Sequence, residues 1–336
     1  MKDIAQMLEL MGRPALWVKD GVISAANKAA LARQFPVGER IDPLLVTGGE
    51  EYRELKRGWL SLGLECSGER YEATVSALEE GHIFALEARD TEEELRLLAL
   101  TAQVLRSPLG DVMALVEELP DEMASEQIAR IRRGLYQMLR IVGNMSVPAG
   151  VRLEMQDVDA VLRELCEKAE SACESRGVRL CYRGTGKPLY SNIDTQLLTR
   201  AIHNLLSNSL KFAADGGEIR MELSLGKRFY KISVRDFGTS ASPEQDFFAY
   251  WRREPGIEDG RTGLGLGLRL VQLAAAAHGG TVFFDRLKGE GFQVILSLPV
   301  NQDTLVRGNR FRVSYSGDRD PMLLELSDVL PPEFYQ

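Results

Sequence analysis

The residues most suited to chemistry lie between Asn204 and Gly280, and they form three groups. The first is Asn204-Leu205-Leu206-Ser207-Asn208-Ser209-Leu210-Lys211-Phe212. Leu197, Leu198, Ile202, Leu205 and Leu206 recur at helical spacing, so Asn204, Asn208 and Lys211 fall near one polar face. A carboxamide oxygen at Asn208 can ligate a hard cation such as Mg²⁺, and a lysine one turn later can neutralise phosphate charge. The second group closes an alternating run, Lys231-Ile232-Ser233-Val234-Arg235, with Asp236-Phe237-Gly238. A carboxylate at a strand end can accept a hydrogen bond from the exocyclic amine of a purine. The third is Gly263-Leu264-Gly265-Leu266-Gly267, which leads into a helical pattern ending at His278-Gly279-Gly280. Glycines ahead of a helix let backbone amides approach phosphate at the positive end of the helix dipole. A Gly-rich turn alone is weak, but three groups in order are much more specific.

Residues 150–300 therefore resemble the ATP-binding domain of sensor histidine kinases, within the wider gyrase, chaperone and mismatch-repair ATPase superfamily. The resemblance implies an α/β-sandwich with ATP and Mg²⁺ as cofactors. It makes Asn208 the Mg²⁺ ligand, Lys211 a phosphate contact and Asp236 the adenine reader, with Asn204, Gly238, Gly263, Gly265 and Gly267 completing the ATP site. Ser240 departs from the first glycine box, at a cost on the order of 1 kcal/mol if positive φ is needed there. Residues 241–262 would form the lid over ATP, with Phe247, Phe248, Tyr250 and Trp251 as its aromatic clamp. Hydrolytic relatives carry Glu where this chain has Asn204, and an amide is not a base. The site is thus expected to hold ATP, or pass its phosphate elsewhere, more than to hydrolyse it.

The acceptor is the missing part. After a capping-box pattern at Thr91-Glu92-Glu93-Glu94, Leu95, Leu98, Ala102, Leu105, Leu109, Val112, Val116 and Leu119 alternate steps of three and four. Ile128, Ile131, Leu135, Met138, Val142 and Met145 repeat the pattern beyond a turn at Pro120-Asp121. One hairpin cannot cover both flanks of such a seam, which points to a homodimer with a four-helix bundle. Leu105-Arg106-Ser107-Pro108-Leu109 resembles the tail of the histidine kinase acceptor motif. In that register Gln103 takes the phosphoacceptor histidine position, facing solvent, and Val104 the acidic base position. Gln is not a usable phosphoryl acceptor, and Val104 cannot assist attack.

The elements that position these groups fall into four stretches, giving an α+β multidomain chain. Residues 1–90 resemble a PAS-like sensory domain diffusely, through strands around Asp20-Gly21, a helix-like stretch from Asn27 to Gln34 and later alternating strands. Residues 91–148 form the dimerising hairpin, 150–300 the ATP-binding domain and 301–336 a tail. The tail starts basic (Arg307, Arg310, Arg312) and turns apolar and acidic, suited equally to its own chain or to a partner. At 336 residues and 44% hydrophobic content the chain has ample material for several cores. Its net charge of −8 provides no basic field for nucleic acid, and no apolar run suits a membrane span, so a cytoplasmic protein is expected. Cys66, Cys166, Cys173 and Cys181 form no metal-ligand pattern; Cys166 and Cys173 are expected to pack together. His203 and His278 read as structural, and His82 as a polar-face strand residue. The combination describes an ATP-binding, dimeric signalling pseudokinase. Its alternatives are an active two-component kinase with an acceptor on a response regulator or partner kinase, and a nucleotide-free scaffold.

Overall fold

The Asp20-Gly21 pair folds the N-terminal strands back on each other, because both residues take positive φ (52° and 75°). Such a turn matches the twist of an antiparallel hairpin. In this computed structural model, residues 2–11, 13–88, 92–117, 126–145, 151–213, 216–237, 266–287, 291–301 and 319–336 are described. Helix α1 (Lys2–Glu9) precedes β1 (Ala15–Lys19) and β2 (Val22–Ala26), and Asn27 then caps α2 (Lys28–Leu31). The Asn27 carboxamide does more than cap. It accepts from the amides of Ala15 and Ala30, both at 3.0 Å, and donates to the carbonyls of Leu8 (3.0 Å) and Arg13 (2.7 Å). It thereby ties α1, β1 and α2 together. β3 (Leu45–Thr47), α3 (Gly49–Glu54), β4 (Trp59–Cys66), β5 (Glu69–Leu78) and β6 (Gly81–Ala88) follow, and the strands lie in the order β2-β1-β6-β5-β4. Leu16, Val18, Leu60, Leu62, Phe84 and Leu86 fill their core.

Helices α4 (Glu92–Glu117) and α5 (Glu126–Met145) pack against each other. Of the heptad residues, Ala102, Ile128, Leu135 and Val142 are buried, whereas Leu105, Val112, Ile131 and Met138 are exposed. The expected turn at Pro120-Asp121 and the cap at Thr91 lie outside the described residues.

The third part begins with β7 (Glu154–Asp157), α6 (Val158–Glu174), β8 (Arg179–Arg183), β9 (Tyr190–Ile193) and α7 (Thr195–Phe212). It continues through β10 (Glu218–Leu225), β11 (Phe229–Asp236), α8 (Leu266–Ala277), β12 (Thr281–Leu287) and β13 (Gly291–Pro299). Strands β12-β13-β11-β10-β8 form a sheet whose apolar residues share one core with α6, α7 and α8, while β7 and β9 pair separately. Side chains of Asp157 and Asp194 cap α6 and α7 through backbone amides, satisfying donors that a helix start leaves open.

Two features go beyond the sequence reading. First, β12 is not a free edge. It pairs with β4 (Val282 with Ser61, Phe283 with Leu60, Phe284 with Trp59), so the N-terminal strands and the third part share one eleven-stranded sheet. The Trp59 and Phe284 rings stack at 5.8 Å across the join. Second, residues 319–336 of the tail pack onto their own chain. Met322 and Leu326, in and just after α9 (Pro321–Glu325), join Val329, Leu330 and Tyr335 in the core of α6 and α7. Arg307, Arg310 and Arg312 lie outside the described residues. Among the described residues no helix is long and apolar enough to cross a membrane.

Candidate functional site

Helix α7 is the spine of the site. Its apolar residues Leu197, Leu198, Ala201, Ile202, Leu205 and Leu206 are buried. The spacing of four, four and three then places Arg200, Asn204, Asn208 and Lys211 along one ridge. Asp194 fixes the start of this helix, accepting from the Leu197 amide at 3.0 Å through Oδ1 and from the Arg152 amide at 2.9 Å through Oδ2.

Asn204 is fully buried, and every polar atom of its carboxamide is used. Its Oδ1 accepts from Arg140 Nη2 at 3.1 Å, while Nδ2 donates to the Arg200 carbonyl and to Glu325 Oε2, both at 3.0 Å. Gly267, in the first turn of α8, lies so close that a Cβ there would stand 2.8 Å from Asn204 Oδ1. A side chain at 267 would push α8 off α7, so this glycine serves close approach. Asn208, one turn on, is half-buried, and among the described residues no side-chain hydrogen bond engages it. Lys211 ends the ridge with its Nζ 2.7 Å from Asp328 Oδ2.

Asp236 closes β11, on which α7 packs, and is buried with Oδ1 accepting from the Phe292 amide at 3.4 Å. The neighbouring Gly291 has φ of 87° and an approach to the Asp236 carbonyl that leaves no space for a Cβ. Gly238, Ser240, Gly263, Gly265 and the 241–262 segment with its four aromatics lie outside the described residues. So does the side chain of Gln103, although its backbone is part of α4; the adjacent Val104 is 72% exposed.

Sequence reasoning missed a charged cluster at this ridge. Arg140, from α5, is buried and paired with Glu325 Oε2 at 3.4 Å and Asp328 Oδ2 at 2.5 Å. Arg200 Nε holds Glu325 Oε1 at 3.3 Å. Arg200 stood in plain view four residues before Asn204, and Glu325 and Asp328 are spaced to share a helical face. Nothing in local periodicity brings either carboxylate to α7. Burial alone would raise the Asp328 carboxyl, yet Arg140 and Lys211 beside it hold it below the usual carboxylate range.

The histidines take structural places. His278 Nδ1 stands 2.6 Å from the Ala274 carbonyl and Nε2 2.9 Å from the Asp194 amide, which requires the neutral tautomer with its proton on Nδ1. His203 is buried with neither ring nitrogen hydrogen-bonded among the described residues, and burial, aided by Arg140 and Lys168, depresses it to about 4. His82 Nε2 lies 3.2 Å from the Leu55 carbonyl and its ring meets Tyr52 edge-on. Burial pushes the Cys166 and Cys173 thiols up to about 12, which suits packing and opposes thiolate chemistry.

The donor set fits a nucleotide-borne Mg²⁺ better than a protein-held one. Among the described residues no three His, Cys, Asp or Glu side chains group to hold a metal. Asn208 offers one hard oxygen, and Mg²⁺ characteristically completes its shell with phosphate and water.

A helix carrying an amide-and-lysine ridge, closed by a glycine-led helix over a mixed sheet, defines an α/β domain of the ATP-binding class. Residues 193–302 match the family of histidine kinase-, DNA gyrase B- and HSP90-like ATPases. The sensor histidine kinase WalK of Bacillus subtilis is 29% identical over 63% of this chain and 38% of its own length. The histidine protein kinase DivJ of Caulobacter vibrioides is 30% identical over 61% of this chain and 37% of its own. The chain thus spans about two fifths of the length of these curated relatives. Among solved structures, the histidine kinase ThkA in complex with the response regulator protein TrrA aligns at 16% identity with a TM-score of 0.43, covering 86% of this chain and 96% of that one. Residues 193–302 thus form an ATPase domain of this family, and the chain resembles sensor histidine kinases.

Proposed function

We propose that the protein is a signalling pseudokinase of this family, which binds Mg²⁺-ATP, dimerises through α4 and α5, and does not phosphorylate itself. The observation that carries the nucleotide part is the α7 ridge, where Asn208, with no side-chain hydrogen bond among the described residues, can meet a cation, Gly267 of α8 closes on Asn204, and Lys211, paired with Asp328 at the end of the ridge, can exchange that carboxylate for phosphate. Asp236 supplies a buried directional acceptor for the base, Asn204 shapes the corner between α7 and α8, and Gly238, Gly263 and Gly265 would complete the phosphate loop. ATP and Mg²⁺ are the expected cofactors.

The absence of self-phosphorylation rests on Gln103 and Val104 in the acceptor and base positions. Neither side chain supplies a nucleophile or a base. Dimerisation is supported by the exposed pairs Leu105 with Val112 and Ile131 with Met138, each seven residues apart. The order of the N-terminal strands, with a helix flanking them, suits a PAS-like sensor for residues 1–90. A cytoplasmic location follows from the need for ATP, and a response regulator or partner kinase is the expected listener.

Incubation with γ-labelled ATP and Mg²⁺ tests this reading. The expected result is no acid-labile phosphohistidine on the unmodified chain. Acid-labile label on the chain alone would make it an autokinase and overturn the pseudokinase assignment.

A further inference from the structure

The C-terminal residues lie on the ridge that the nucleotide reading assigns to phosphate and metal. Two carboxylates, Glu325 and Asp328, face three cations, Arg140, Arg200 and Lys211, at 2.5 to 3.4 Å. Glu325 also accepts from the Asn204 carboxamide, at the corner where Gly267 of α8 closes on α7. Backbone carbonyls extend the contact to α5. The Ser327 carbonyl accepts from Arg133 Nε at 3.0 Å and Gln137 Nε2 at 3.1 Å, and the Asp328 carbonyl accepts from Arg133 Nη2 at 3.0 Å. The Tyr335 carbonyl accepts from Arg132 at 3.4 Å, and the Tyr335 ring meets Tyr136 edge-on. Helix α5 is thus tied to α7 by a segment contacting both.

The two carboxylates differ in how freely they can leave. Glu325 is 1% exposed and shared by two arginines, whereas the Asp328 side chain is 29% exposed and reaches Lys211 from the rim. A lysine whose ammonium already meets a carboxylate at 2.7 Å is a poorer receptor for a second anion, because the incoming charge must displace the first. From this arrangement we infer that residues 319–336 act as a built-in anionic ligand: Asp328 occupies Lys211 in place of nucleotide phosphate, so that docking of the segment and binding of nucleotide oppose each other. This rests on the reading of Lys211 as a phosphate contact. Because such coupling is reciprocal, nucleotide must loosen the segment as much as the segment weakens nucleotide, and the loosening reaches α5 through Arg133 and Arg140.

Titration of the full chain with Mg²⁺-ATP, native and as Asp328→Asn, tests the competition. The variant is expected to bind at least about fivefold more tightly, the lower range of a typical coupling between sites. Equal affinities would overturn the competition while leaving the ATP site standing. Binding by neither protein at millimolar nucleotide would overturn the ATP reading and this inference with it. A measurement on the unmodified chain guards against a variant that folds poorly. The amides of Leu324, Leu326, Val329 and Leu330 are hydrogen-bonded within the docked segment. Saturating Mg²⁺-ATP should accelerate their hydrogen exchange, and unchanged or slower exchange would overturn the competition.

Discussion

Asn204, Asn208 and Lys211 share one ridge but have different surroundings. Asn204 is saturated by Arg140, Arg200 and Glu325, whereas Asn208 has an open carboxamide. Asn208→Ala should therefore remove a cation contact without disturbing the fold, weakening Mg²⁺-ATP binding by about 1.5 to 3 kcal/mol. Calorimetry of the variant, with an unchanged unfolding midpoint, checks this. Glu325→Ala should do the reverse, because it strips buried Arg140 and Arg200 of their shared partner. A loss of about 3 to 5 kcal/mol in chemical denaturation is expected, the usual penalty for a half-deleted buried pair.

His203 gives a pH prediction at the same scale. Its folded value near 4 lies below the 6.5 of a free imidazole, so the unfolded chain binds the proton first. Stability should be unaffected above pH 6.5 and fall as pH drops toward 4, by up to ~3 kcal/mol from this group. His203→Leu should flatten that slope, since neither ring nitrogen has a hydrogen-bond partner among the described residues to lose. Equal slopes for both proteins over pH 6.5 to 4 would show that another group carries the acid response.

At the scale of elements, legibility followed period and capping. Helix α7 was readable because five apolar residues mark its buried stripe and the site groups follow from the same 3.6-residue repeat. Strand β11 and the Asp20-Gly21 hairpin were readable from alternation and a turn that demands positive φ. The charged cluster was not, because Arg140, Arg200 and Glu325 lie on three elements far apart in the chain and only packing joins them. The hairpin helices provide the test at this scale. Leu105 and Val112 on α4 and Ile131 and Met138 on α5 leave an apolar face open at heptad spacing. Leu105→Glu should shift a dimer toward monomer in light scattering, since a charge in a buried seam is costly. A native monomer at micromolar concentration would refute the seam.

For the whole molecule, the β4–β12 pairing was invisible in sequence because edge-to-edge pairing leaves no period of its own; any exposed edge offers the same unpaired amides and carbonyls. Its consequence is that the N-terminal strands contact the ATP-binding part directly, with Trp59 stacked on Phe284 and Ser297 Oγ 3.4 Å from Glu51 Oε1. If residues 1–90 are the proposed sensor, a signal there has two routes to the ATP-binding part, through this sheet and through α4 and α5. The acceptor position belongs to the second route. If Gln103 stands where a phosphoacceptor histidine belongs, Gln103→His with Val104→Glu should gain acid-labile phosphate, and Gln103→His alone should gain less, a positioned base contributing roughly 10²- to 10⁴-fold. No label on the double variant, with ATP binding intact, would mean that α4 does not present this position to the ATP-binding part.

The proposed function depends on nucleotide occupying the α7 ridge, so calorimetric titration of the unmodified chain with Mg²⁺-ATP is the most direct test. The account predicts a saturable isotherm that Asp236→Ala largely abolishes; no heat at millimolar ATP, or an isotherm that Asp236→Ala leaves unchanged, would contradict it.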